Sequence, residues 1–394
     1  MSRRIVIVGG VAAGASAAAR ARRMNEEAEI TLIEAGPYIS FANCGLPYYV
    51  GGEIPNRERL FVARAPRFAR RFNVEVRVNT AVTAIDRDLR TVTFATSGGA
   101  VEEMGYERLV LATGTVGVVP PIAGLDRDNM FTVRTVPDVD AITAHLGKIG
   151  PAGPGDSPPR ALVIGGGYIG LETAEQLLRK GLNVTVVEMA DRLMLSLDPE
   201  MAEPLRAALI EAGCQVILGD GVAEIVERDG RLFAATRSGR EVPFDLGILA
   251  MGVRPNVELA GAAGITLGKT GAIQVDEFQR TSDPAVYAAG DNCEAMHRVL
   301  GHPVSIPWPA RPARPGALPA ATPQWTSRGR LTMIPDGSAS GACWARPLFV
   351  SAEPSPPSSA SPNHRPCGSA LRPRWSTSSG QATPAITRGP GRCC

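Results

Sequence analysis

Three groups of residues carry most of the chemistry this sequence can offer. The first is Gly165-x-Gly167-x-x-Gly170, which follows the apolar run Ala161–Ile164 and opens a helical stretch that reaches Lys180. Glycines at such a turn expose backbone N–H groups at the positive end of a helix, where a pyrophosphate can sit without side-chain obstruction. Glu188, eighteen residues after Gly170, is placed to accept hydrogen bonds from a ribose 2′-hydroxyl and to repel a 2′-phosphate. That predicts NADH over NADPH, with Arg192 close enough to keep NADPH open.

The second group repeats the arrangement 156 residues earlier: Arg4–Val8 runs into Gly9, Gly10 and Gly14, and Glu34 lies twenty residues after Gly14. Val11 stands where the middle glycine of the fingerprint is expected. The string Thr281–Asp291 ends in an aspartate after an apolar strand and a glycine, placed to bond the polyol chain of FAD, and it assigns a flavin to this turn. The third group is Ser40-Phe-Ala-Asn43-Cys44-Gly-Leu-Pro-Tyr-Tyr49, which begins six residues after Glu34. Cys44 could start a helix, and a helix N-terminus favours the thiolate, the form that attacks disulfides. A buried, inert cysteine is the commoner fate of this residue type. Its place beside a flavin, between Asn43 and Gly45, favours redox chemistry.

Two βαβ units predict an α/β protein with two Rossmann-like dinucleotide-binding domains, one for FAD and one for NAD(P)H, since one unit cradles one pyrophosphate. Glu107–Gly114 and Phe244–Gly252 read as buried strands closing on tight turns, one for each domain. The expected division is a discontinuous FAD-binding domain over residues 1–118 and 245–307 with an NAD(P)H-binding domain over 119–244. Gly147–Pro159 reads as a glycine- and proline-rich surface insertion.

The 394 residues carry a net charge of +2, the average of two unlike segments. Residues 1–307 sum to −6, with nothing resembling a nucleic-acid footprint, whereas residues 308–394 sum to +8 with ten arginines, no lysine and only Asp336 and Glu353 as acids. No run of about 18 apolar residues suggests a membrane span. Seven unevenly spaced cysteines give no disulfide framework, and no metal site is expected. The apolar N-terminal run is cut short by Gly9 and Gly10, so it reads as a strand rather than a signal peptide, and a cytoplasmic location follows.

The last 87 residues also hold 15 of the 33 prolines and all four tryptophans, without a sustained period, which predicts a disordered Pro/Arg/Ser-rich tail. A shifted reading frame is the sharper explanation, because 38 arginines against 3 lysines point to GC-rich codons. With such codons assumed, restoring one base before Trp308 turns Trp308–Pro312 into Leu-Ala-Gly-Pro-Ala.

Together these motifs resemble the pyridine nucleotide-disulfide oxidoreductases, and within them the single-cysteine branch of coenzyme A-disulfide reductases and NADH oxidases or peroxidases. The resemblance covers residues 1 to about 307, and Ser40–Tyr48 is its most specific part. It implies Cys44 and Asn43 as catalytic residues, Tyr168 as a gate over the nicotinamide, Glu172 beside the flavin, and Thr113, Gly114 and Gly252 at turns near the cofactors. It further implies Ser40, Arg23 and Arg22 near the substrate, the arginines pairing with coenzyme A phosphates unless they are simply solvated charges. Electrons would pass from NADH, or NADPH, through FAD to Cys44 and on to coenzyme A disulfide or a related small disulfide or persulfide. A Cys44 sulfenate in an NADH oxidase or peroxidase is the alternative, and a non-catalytic flavin-binding protein is the alternative of another class. The family is homodimeric, but its C-terminal dimerisation domain is not legible here.

Overall fold

The computed structural model describes residues 3–150, 157–297 and 299–305. The expectation for residues 308–394 lies outside them.

The first unit is β1 (Arg4–Val8), α1 (Ala12–Met24) and β2 (Glu29–Ile33), both strands burying all but their first residue, as strands covered on two faces must. Ala17, Ala18 and Ala21 let α1 lie close to the sheet. The chain continues through α2 (Leu46–Gly51), α3 (Ala65–Phe72) and β3 (Glu75–Arg77). An antiparallel meander follows, β4 (Thr80–Asp86), β5 (Thr91–Thr96) and β6 (Val101–Gly105), and then β7 (Arg108–Leu111) and β8 (Thr115–Gly117).

The second unit opens with β9 (Met130–Thr132) and α4 (Val136–Ile149), the latter started by a capping box between Thr135 and Asp138. It runs on through β10 (Arg160–Ile164), α5 (Tyr168–Arg179), β11 (Asn183–Val187), α6 (Pro199–Glu211) and β12 (Gln215–Ile217). A second meander, β13 (Val222–Arg228), β14 (Arg231–Thr236) and β15 (Glu241–Phe244), leads into β16 (Leu246–Leu249). The chain returns to the first unit through β17 (Val253–Pro255), α7 (Glu258–Ala262) and β18 (Val286–Ala288), and β19 (Ala295–His297) pairs with β20 (His302–Val304) as a hairpin.

Two five-stranded parallel sheets result, ordered β18-β7-β1-β2-β3 and β12-β11-β10-β16-β9. Each places its glycine-turn strand in the middle, with successive strands added to opposite sides of it, so each has a crevice at the carboxyl ends of its strands. The α/β class with two Rossmann-like sheets is thereby established.

The chain leaves the second sheet after β16, which pairs with β10, and crosses back where β17 pairs with β8. One sequence expectation needs correcting: the segment from Gly147 is not all loop, because α4 continues to Ile149 and ends at Gly150, whose φ of 72° closes the helix. Residues 151–156 lie outside the described residues.

The core that matters for function joins the two units. Leu46 and Val50 of α2, with Phe41 and Leu60 around it, share one apolar cluster with Leu171, Ala174 and Leu177 of α5 and Val136, Val139 and Ile142 of α4. The segment carrying Cys44 is therefore held as much by the second unit as by the first.

Candidate active site

The two glycine turns are built on the same contacts. At Gly9 a Cβ would stand 2.2 Å from the Ala112 carbonyl oxygen, and at Gly165 it would stand 2.3 Å from that of Ala250. At Gly14 it would meet the Gly9 oxygen at 1.7 Å, and at Gly170 the Gly165 oxygen at 2.0 Å. These four glycines are required by the chain's own packing. Gly167 is not, since a Cβ there would meet nothing within 4 Å. Open space at the middle position explains how Val11 can occupy its counterpart in the first turn, where it packs partly buried.

The two acids are matched as well. Glu34 accepts hydrogen bonds from the backbone N–H groups of Gly10 at 2.6 Å and Gly36 at 2.7 Å. Glu188 accepts them from Gly166 at 2.6 Å and Ala190 at 2.8 Å. Burial pushes the Glu34 carboxyl above its usual range, opposed by the bonds from Gly10 and Gly36 and by Arg134.

Arg134 is the residue that sequence reasoning missed. Its Nη1 donates to Thr115 Oγ1 at 2.7 Å, and burial lowers its pKa against the opposing charges of Asp291, Asp138 and Glu34. A fixed cation thus stands among the two acids expected at the flavin. A signal was present in the sequence: an arginine directly before the capping box of α4 puts positive charge at the positive end of a helix, which is unfavourable unless an anion is nearby. Beside it, Thr113 Oγ1 donates to the Asn256 carbonyl at 2.7 Å, and Gly114, at φ 65°, accepts from the Asn256 N–H at 2.9 Å. Gly252, the counterpart turn of the second unit, has a φ of 99°.

The residues present fit a flavin. Asn292, fully buried behind Asp291, uses its Nδ2 on the Leu111 carbonyl and Thr113 Oγ1 and leaves its Oδ1 with no hydrogen-bond partner. A buried amide oxygen left so costs about 1–3 kcal/mol unless a ligand or water supplies a donor. Gly290, at φ 92°, keeps the approach open, where a Cβ would stand 3.0 Å from Ala13 Cβ.

Cys44 lies half-buried in a 3-10 turn, Asn43–Gly45, that runs directly into α2, and Asn43 is exposed beside it. The other two cysteines among the described residues, Cys214 and Cys293, are buried, and burial pushes the Cys214 thiol up to about 11. Ser40 sits in the left-handed region at φ 47°, its N–H donating to the Gly10 carbonyl at 3.0 Å while its own carbonyl accepts from Val62 at 2.8 Å. This conformation is uncommon for a residue with a side chain, and here it ties the Cys44 segment to the first glycine turn. Tyr168 is the first residue of α5 and Glu172 lies one turn on, facing α2.

Arg22 departs from expectation. Its guanidinium donates to the carbonyls of Phe72 at 2.9 Å, Asn25 at 3.3 Å, Ala28 at 2.7 Å and Asn73 at 2.6 Å, and also to that of Glu26. It pins the end of α1 to the end of α3, and its donors are spent there rather than on a phosphate. Arg23 is exposed on α1.

Two nucleotide-binding sheets, two matched acids and a half-buried thiol at their junction define a dinucleotide-dependent redox protein. The sequence profile of the family described as pyridine nucleotide-disulphide oxidoreductase matches residues 3–313, and the chain belongs to that family. Its members are NAD(P)H-dependent flavoprotein oxidoreductases that use FAD. An NADH oxidase of Methanocaldococcus jannaschii is 35% identical over 316 residues, 80% of this chain and 68% of the relative. An NAD(P)H coenzyme A polysulfide/persulfide reductase of Pyrococcus horikoshii is 32% identical, covering 78% of this chain and 66% of the relative. The crystal structure of reduced Bacillus anthracis CoADR-RHD is 41% identical with a TM-score of 0.74, over 81% of this chain and 55% of that one. The chain thus spans about two thirds of these curated relatives and about half of the solved protein. No helix among the described residues is long and apolar enough to cross a membrane.

Proposed function

We propose that this chain is an FAD-dependent oxidoreductase that takes electrons from NADH and delivers them, through Cys44, to coenzyme A disulfide or a related small disulfide or persulfide. The observation that carries the reading is the position of Cys44: a half-buried thiol on a segment tied to the first glycine turn through Ser40 and packed into the core of the second unit. On this reading the FAD-binding part spans residues 1–118 and the return from β17 onward, and the NAD(P)H-binding part spans 119 to about 252.

FAD, when bound, would relay the reducing equivalents of the nicotinamide to sulfur. Glu34, Asp291 and Arg134, with the backbone at Gly9, Gly10 and Gly14, would hold it, and Glu188 with the turn at Gly165–Gly170 would hold NADH. Tyr168 would cover the nicotinamide, and Thr113, Gly114 and Gly252 would shape the turns beside the cofactors. Cys44 would attack one sulfur of the substrate disulfide and release one thiol, leaving a mixed disulfide whose reduction releases the second. The overall balance is NADH, one proton and one disulfide giving NAD⁺ and two thiols. Asn43, Ser40 and Arg23 would line the substrate approach. A cytoplasmic location suits a reaction that begins from a free thiol, and a homodimer is part of the same proposal.

Anaerobic NADH oxidation by coenzyme A disulfide, with two thiols released per NADH, tests the reading. Cys44→Ser should keep the flavin absorbance and abolish thiol release, because the flavin cradle and the sulfur chemistry rest on different residues. NADH consumption only with oxygen or peroxide would replace it with the second reading, a Cys44 sulfenate cycle, which the Methanocaldococcus relative named NADH oxidase favours.

A further inference from the structure

Cys44 stands between two residues that rest on one short turn. Ala42, two residues before it, donates its backbone N–H to the Leu60 carbonyl at 2.8 Å. Gly45, directly after it, lies so close to the same residue that a Cβ there would stand 3.3 Å from Leu60 Cδ2. Leu60 is fully buried and ends the 3-10 turn Arg57–Leu60, and Phe61 just beyond it bridges to Phe41. Whatever fixes that turn therefore fixes the backbone on both sides of the thiol.

The turn is held from the second unit. Arg57, its first residue, grips Asp140 of α4 with a fork of two hydrogen bonds, Nε to Oδ1 at 2.7 Å and Nη2 to Oδ2 at 2.6 Å. The same Nη2 donates to the Tyr38 hydroxyl at 2.9 Å, and the guanidinium carbon lies 5.0 Å from the centre of the Tyr38 ring and 5.4 Å from that of Phe61. With side chains 29% and 35% exposed, the ion pair is too open to be a large source of stability, whereas a fork fixes direction as well as distance. At the other end of α4, the Arg134 backbone N–H donates to Asp138 at 3.0 Å. One helix thus anchors both the turn under Cys44 and the cation expected at the flavin.

We propose that the Arg57–Asp140 fork is a positioning clamp that sets where Cys44 stands relative to α4 and the flavin cradle. Arg57 is a positioning residue that acts through Leu60, Ala42 and Gly45. The inference rests on the reading of Cys44 as the nucleophile. Displacing the thiol impairs the last transfer, to sulfur, and leaves the first, from NADH, alone.

The test compares two electron acceptors in the full chain loaded with FAD. Ferricyanide takes electrons from reduced flavin without the thiol, whereas coenzyme A disulfide needs Cys44. Arg57→Gln and Asp140→Asn should each lower kcat for the disulfide by about tenfold, with KM for NADH and the rate of ferricyanide reduction within about twofold of wild type. The double variant should lose no more than either single one, because the two side chains act as a unit. Arg57→Lys, which keeps the charge and gives up the fork, should fall between wild type and Arg57→Gln. Iodoacetamide labelling of Cys44 is read on its own peptide by mass spectrometry, because the chain has seven cysteines. It should run about threefold or more faster in both single variants, since a loosened turn uncovers the half-buried thiol. Equal losses with both acceptors, additive losses in the double variant, or wild-type labelling in both single variants would overturn the proposal. Should Arg57→Gln fail to fold, Asp140→Asn and Arg57→Lys decide by the same readouts. A wild type that reduces no disulfide would strike the proposed function, and the labelling rates, which need neither NADH nor a disulfide, would then decide the clamp alone.

Discussion

Glu188 accepts a 2.6 Å hydrogen bond from the backbone N–H of Gly166, and Glu34 accepts one of the same length from Gly10 in the other unit. The acid that would read a ribose therefore also holds the glycine turn below it, so its removal would weaken the turn and confuse a specificity test. Glu188→Gln keeps an oxygen for Gly166 while discarding the charge. It gives up the second oxygen, which accepts from the Ala190 N–H at 2.8 Å, so it should cost about 1 kcal/mol of stability and lower the NADH-to-NADPH ratio of kcat/KM by about tenfold, the equivalent of ~1.4 kcal/mol. Steady-state kinetics with both nucleotides measure this. An unchanged ratio would move nucleotide choice to Arg192.

The glycines of the second turn divide into those the fold needs and one reserved for a ligand, and two alanine variants separate them. Gly170→Ala puts a Cβ 2.0 Å from the Gly165 carbonyl oxygen and should cost about 1–3 kcal/mol of stability. Gly167→Ala meets nothing within 4 Å at an ordinary φ of −84°, so stability should hold within about 0.5 kcal/mol. Its KM for NADH should rise about tenfold, because the methyl occupies the space of a phosphate. Thermal melts beside NADH titrations distinguish the two, and a destabilised Gly167→Ala would contradict the open-space argument.

The fold was largely legible in the sequence, because parallel strands buried on both faces read as apolar runs and each glycine turn marks the helix that follows. The less legible features depend on contacts between residues distant in the chain. Only the pairing of β16 with β10 reveals where the second unit ends. Val11 departs from the fingerprint, and the open space at Gly167 shows that the fold itself does not require a middle glycine. Arg134 was hidden because its acids, Glu34 and Asp291, lie 100 residues before it and 157 after it. Arg22 and Arg23 are adjacent and chemically alike, and only the backbone carbonyls at the ends of α1 and α3 tell them apart.

That distinction gives a paired prediction. Arg22→Ala strips the hydrogen bonds that close α1 against α3 and should cost about 2 kcal/mol or more, seen as a lower melting temperature. Arg23→Ala should leave the melting temperature alone and raise KM for coenzyme A disulfide a few-fold, since an exposed ion pair contributes about 1 kcal/mol at most. The contrast should vanish with a disulfide that carries no phosphate. A phosphate-dependent KM effect from Arg22→Ala without loss of stability would reverse the assignment.

The last prediction concerns the DNA around the codon for Trp308. The family profile matches through residue 313, and about a third of each curated relative lies outside the matched span. At the same place in this chain the net charge changes sign, proline becomes about three times as frequent and tryptophan enters for the first time. A frame shift in GC-rich DNA produces all three together, because out-of-frame GC-rich codons read as Pro, Arg, Ala and Ser with stray Trp and Cys. Restoring one base before the Trp308 codon should open a frame that begins Leu-Ala-Gly-Pro-Ala and continues with similarity to the remaining third of the Methanocaldococcus and Pyrococcus relatives. Sequencing the encoding DNA and translating its three frames settles this. If both alternative frames close early, or one stays open without that similarity, residues 308–394 are the chain's own sequence and their composition needs a different cause.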